Sequence, residues 1–102
     1  MNEYEDHYEV RKEYLVKIKT WKQMRLENKI DSDGDIVIDD GYVYFTEEME
    51  KELSKIPNRI IILKDCPKYR YLQWETEYDL FDIPKKAIEE ILDPKDYPEY
   101  FV

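Results

Sequence analysis

The chain has 102 residues, 42% of them apolar, 15% aromatic and 40% charged, with a formal net charge of −9. That length buries one modest core rather than two, and the aromatic content offsets the disorder that so much charge would otherwise favour. A single cysteine, Cys66, excludes an intrachain disulfide, no stretch reaches the roughly 20 apolar residues that cross a bilayer, and the acidity opposes direct binding to nucleic acid or anionic lipid. The opening MNEYEDHYEV also lacks the basic end and apolar run of a secretory signal. The expectation is a cytoplasmic protein whose natural partner is a protein with a basic surface.

Residues 1–12 are polar and aperiodic, and read as an arm. A single domain over 13–93 follows, then an aromatic, acidic tail over 94–102. In YLVKIK, Tyr14, Val16 and Ile18 alternate with Leu15, Lys17 and Lys19, the period of a strand. Thr20 then caps a short helix near 21–28, where Trp21 and Met24 share a face and Leu26 and Ile30 flank it. DSDGD is a loop turning at Gly34, and IVI with YVYF reads as a hairpin across Asp39, Asp40 and Gly41. Thr46 caps the next helix, near 47–54, with Met49 and Leu53 inward and glutamates in the first turn. Pro57 ends it.

RIIILK, with Ile60, Ile61 and Ile62 in succession, is the strongest strand and is expected at the centre of the sheet. KYRYLQWE and YDLF supply two more strands, with a turn near Thr76 between them. A last helix is expected near 84–92, opened by Asp82, Ile83 and Pro84, with Ala87, Ile88, Ile91 and Leu92 as its buried stripe. YVYFTEEM (42–49) and YDLFDIPK (78–85) match in pattern, which divides the domain into related halves, 13–56 and 57–93. Two such β-β-α units give an α+β protein, with a strongly bent antiparallel sheet or a small SH3-like barrel.

Charge is segregated along the chain. Residues 31–52 hold nine acids against one lysine, and 75–102 nine against three cations, whereas 53–74 carry five cations and one acid. A solvated surface explains such blocks, and so does a carboxylate array that fills a basic cleft in place of phosphates.

Other chemistries find little purchase. Asp31, Asp33 and Asp35 imitate the first, third and fifth positions of a calcium loop, but the sixth is Ile36 instead of glycine and the twelfth Tyr42 instead of glutamate. No metal or cofactor is expected. His7 has no nucleophile nearby in sequence, Cys66 has no second thiol, and two glycines cannot build a phosphate loop, so the chain reads as a non-enzyme.

Trp21 to Met24 (W-x-x-M), DSDGDI and YVYFTEEM together resemble small proteins of phages and other mobile elements of Gram-positive bacteria, which repeat a strand, a hairpin and an F-x-x-E-M helix start. The resemblance spans roughly Val16 to Leu92 and implies an SH3-like, two-lobed β fold, with no catalytic residue or ligand to transfer. Such proteins carry a Gly-Lys turn where this chain has Leu53, Ser54, Lys55 and Ile56. The resemblance implies an acidic inhibitor, acting in the cytoplasm of a bacterial host, that blocks a host or defence protein at a basic, nucleic-acid-binding surface. Asp31, Asp33, Asp35, Asp39, Asp40, Glu47, Glu48, Glu50 and Glu52 would stand in for phosphates, and Tyr42 and Tyr44 would anchor the contact. The alternative is an accessory protein-interaction module that docks through a sheet edge or the DYPEYFV tail, with its acidity serving solubility.

Overall fold

The structure, a computed structural model, describes residues 12–65 and 70–101. His7 and most of the arm, Cys66 to Tyr69, and Val102 lie outside the described residues. The fold is mixed α+β, with two short helices and two antiparallel sheets.

β1 (Glu13–Ile18) leads into α1 (Trp21–Glu27), whose first turn is closed by the Thr20 hydroxyl accepting from the Gln23 amide at 3.1 Å. β2 (Lys29–Ile30), β3 (Ile36–Ile38) and β4 (Val43–Phe45) form the smaller sheet in that order. Between β3 and β4, Asp39 and Asp40 take φ of 52° and 58° ahead of Gly41 at 92°, a left-handed turn that short aspartates tolerate better than most residues. α2 (Glu47–Leu53) is capped by Thr46, which accepts from the Met49 amide at 3.2 Å. A 3-10 turn, Pro57–Arg59, then feeds β5 (Ile60–Lys64), β6 (Tyr71–Glu75), β7 (Leu80–Pro84), a second 3-10 turn at Lys85–Ala87, and β8 (Ile88–Leu92).

These strands and β1 make the larger sheet, in the order β7-β6-β5-β1-β8. The isoleucine-rich β5 is central, as its sequence predicts. Only Lys85–Ala87 joins the two edge strands. Four residue steps reach at most about 14 Å, whereas the edges of a flat five-stranded sheet stand about 19 Å apart. The sheet is therefore curled, with Ala87 fully buried inside the curl and its carbonyl accepting from the Lys19 amide at 2.8 Å. β7 and β8 do not pair with each other, so the sheet is not closed into a barrel.

The concave side of this sheet and the inner side of the small sheet share one core. Val16, Ile61, Leu63, Trp74 and Ile83 come from the first, Ile36, Ile38 and Phe45 from the second, and Met24, Met49 and Leu53 from the helices. Leu26 and Ile30, expected beside Trp21 and Met24 on the packed face, are instead 77% and 41% exposed.

The predicted helix near 84–92 is a strand. Its apolar spacing suits a helix, but an isolated turn or two is marginal in water, and the open edge of β1 offers a ladder. Leu92 pairs with Leu15, Ile91 with Val16, Glu90 with Lys17 and Ile88 with Ile18, with one register shift that skips Glu89. The second β-β-α unit therefore lacks its helix. Phe45 and Phe81 are both buried, as the repeat suggests, but the chain diverges immediately after them. Thr46 caps α2, whereas its counterpart Asp82 lies exposed within β7, opposite Gln73.

One surface bond gives a pH-dependent expectation. Lys19 Nζ lies 2.8 Å and 3.2 Å from the two carboxylate oxygens of Glu27. This hydrogen bond, aided by Gln23, holds the Glu27 carboxyl below its ordinary range. Its folded pKa lies under the unfolded one, so its contribution to stability is complete above the unfolded value and is lost as pH falls through the folded value. Glu27→Gln should lower the urea midpoint at neutral pH and leave it unchanged in strong acid, where both chains carry a neutral group.

Candidate functional site

The acid-rich segment 31–52 is folded into a loop, a hairpin and a helix, and most of its carboxylates are occupied. Asp31 organises the loop. Its Oδ1 accepts from the amides of Asp33 at 2.9 Å and Asp35 at 3.0 Å, while its own amide donates to the Asp35 carbonyl at 2.9 Å. Asp35 then reaches across to α2, where its Oδ1 accepts from the Glu47 amide at 3.2 Å. The loop and the start of α2 are thereby held side by side.

Gly34 sits at φ 89°, and a Cβ there would come 3.0 Å from Glu47 Oε1, so the glutamate lies over the loop's one glycine. Asp33, Glu47 and Glu48 are exposed around this junction. Among the described residues none of the three forms an ion pair.

At the other end of the hairpin, Asp39 and Tyr42 are tied to the larger sheet. Lys86 Nζ lies 2.6 Å from Asp39 Oδ1, and the Arg70 guanidinium sits 4.8 Å from the centre of the Tyr42 ring. Tyr44 points outward from β4, 41% exposed, and leans back so that its hydroxyl lies 3.6 Å from where a Gly41 Cβ would be. Asp40 is exposed at the tip.

Glu50 and Glu52 face other tasks. Glu52 pairs with Lys55 at 3.2 Å. Glu50 forms a two-pronged pair with Arg59, at 2.7 Å from Nη1 and 2.8 Å from Nη2. Arg59 also donates to the carbonyls of Lys19 at 2.7 Å and Ile18 at 3.3 Å, which fastens α2 to the end of β1.

The nine acids expected to act together thus differ in what holds them. Asp31, Asp35, Asp39, Glu50 and Glu52 serve the fold. Asp33, Glu47 and Glu48 are exposed on the Asp31 loop and the first turn of α2 and, among the described residues, form no ion pair, and Asp40 is exposed at the tip of the hairpin. Among the described residues, no three carboxylates, cysteines or histidines gather where a metal ion could be held. No helix among them is long and apolar enough to cross a membrane.

The Arg59 clamp is not legible in the sequence. Pro57 and Asn58 signal a turn, but nothing in the linear chain says that the next side chain reaches back nine positions to Glu50. No protein-family model matches the chain, and comparison with curated proteins and with solved structures finds no match.

Proposed function

We propose that this chain is a protein-binding domain with no chemistry of its own, which engages a basic surface on its partner through Asp33, Glu47 and Glu48. The observation that carries this reading is that these three residues, on the Asp31 loop and the first turn of α2, are exposed and, among the described residues, outside any ion pair, while acids around them are engaged within the fold. Unpaired charges at a pre-formed junction steer a cationic partner and lose little on contact. Asp40 and Tyr44 extend the surface along the hairpin.

In its specific form the reading is of a phage or mobile-element inhibitor that covers a basic nucleic-acid site of a host or defence protein, as the resemblance of DSDGDI and YVYFTEEM implies. The strand order β7-β6-β5-β1-β8, with a 3-10 turn between the last two strands in sequence, supports an SH3-like core in which residues 21–53 form one long insertion after the first strand.

A second reading, an accessory module whose acidity serves structure and solubility, is favoured by the five carboxylates bound internally. The two readings part in one experiment. Tagged full-length chain is used to capture partners from bacterial lysate at low and high salt, beside an Asp33→Lys, Glu47→Lys, Glu48→Lys variant. The inhibitor reading expects a partner with a basic nucleic-acid site, eluted by salt and reduced at least about tenfold by the variant. A partner that withstands salt and is retained by the variant assigns the chain to the accessory class.

A further inference from the structure

Away from the acidic junction, α1 presents a surface of opposite sign. Met24 points into the core, and Leu26, about 200° further around the helix, faces solvent with 77% of its surface exposed. Lys22, four residues earlier, shares that side. These two, with Trp21, Arg25, Asn28 and Ile30, line a groove of about 450 Å³ between α1 and β2. Among the described residues, Lys22 and Arg25 form no ion pair. On a chain of net charge −9, an apolar groove rimmed by unpaired cations fits an acidic segment that carries large apolar rings.

The chain carries such a segment. Its tail runs through two 3-10 turns, Pro94–Asp96 and Pro98–Phe101, with Asp96 and Glu99 exposed. Tyr97 and Tyr100 meet edge to face at 6.3 Å. The tail leaves the fold at the end of the sheet away from its own groove. β8 finishes at Leu92, opposite Leu15 in the first half of β1, whereas α1 follows the far end of β1 beyond Ile18.

We propose that the tail of one copy docks in the α1–β2 groove of a second copy, with its carboxylates against Lys22 and Arg25 and its tyrosine rings against Trp21, Leu26 and Ile30. Because the two patches differ, the contact is heterologous. It closes as a pair when tails are exchanged reciprocally, and otherwise extends. The proposal does not depend on the acidic junction or on any outside partner.

Sedimentation of the full chain tests it, together with a groove variant, Lys22→Glu with Arg25→Glu, and a tail variant, Tyr97→Ser with Tyr100→Ser. All four substituted side chains lie at the surface or half-buried, and circular dichroism checks that each variant is folded. The wild type should gain mass with concentration and lose it with salt, each variant should stay monomeric, and an equimolar mixture should associate again, since each variant retains what the other lacks. A fluorescent peptide of residues 94–102 should bind the tail variant saturably, and not the groove variant. A monomeric wild type, a mixture that stays monomeric, or a peptide that ignores the groove substitutions overturns the proposal.

Discussion

Phe45→Ala should be the most damaging single truncation in the molecule, lowering stability by about 3–5 kcal/mol. Phe45 is fully buried on β4 and shares the core with residues of both sheets. Its ring lies 5.7 Å from that of Trp21, and β4 packs directly against β7. The smaller sheet has only three short strands, which cannot stand alone in water without an apolar face to cover. Removing the ring leaves a cavity at the place where α1, the smaller sheet and the curled sheet meet.

A loss of that size is a large part of the 5–15 kcal/mol that holds a domain of this kind together. Thermal unfolding followed by circular dichroism measures it, and Phe45→Leu, which leaves a smaller void, should lose less than half as much. If Phe45→Ala instead unfolded at the wild-type temperature, the smaller sheet would not be part of the cooperative core.

How far the fold was legible in the sequence depends on which residues decide each element. The two helix caps, Thr20 and Thr46, act within three residues of themselves, and both helices begin where those threonines predict. β5 is set by three successive β-branched residues, and the β3–β4 hairpin by its aspartate-glycine turn. The last segment is different. IEEIL satisfies helical spacing and strand composition alike, and the choice is made by the vacant edge of β1, at least 70 positions earlier in the chain.

The same division holds for the candidate site. The concentration of acids between 31 and 52 is plain in the sequence, but which of them remain free is decided by Arg59, Lys86 and the Asp31 loop. An acid whose partner lies near in sequence, such as Asp31, could be assigned from turn chemistry. One whose partner arrives through the fold, such as Asp39 with Lys86, could not. Charge reversal of the whole block would therefore mix loss of binding with loss of structure, and Glu50 is where that confusion would be worst.

Arg59→Ala should cost about 2–4 kcal/mol, more than Glu50→Ala, because the arginine satisfies two backbone carbonyls as well as a carboxylate. Both side chains are mostly shielded, 15% and 23% exposed, so the pair is less diluted by solvent than the other ion pairs among the described residues. A double-mutant cycle in urea should give a coupling on the order of 1–3 kcal/mol between the two positions. The backbone adds a prediction of opposite sign. Arg59 sits at φ 57°, a left-handed conformation in which a Cβ is strained and glycine is not. Arg59→Gly should therefore be less destabilising than Arg59→Ala by about 1 kcal/mol, although it removes as much side chain. At ordinary positions glycine is the worse replacement. Equal or reversed costs would mean that the turn at Pro57–Arg59 relaxes once the clamp is gone, and that the guanidinium, rather than the chain itself, holds the residue in its strained conformation.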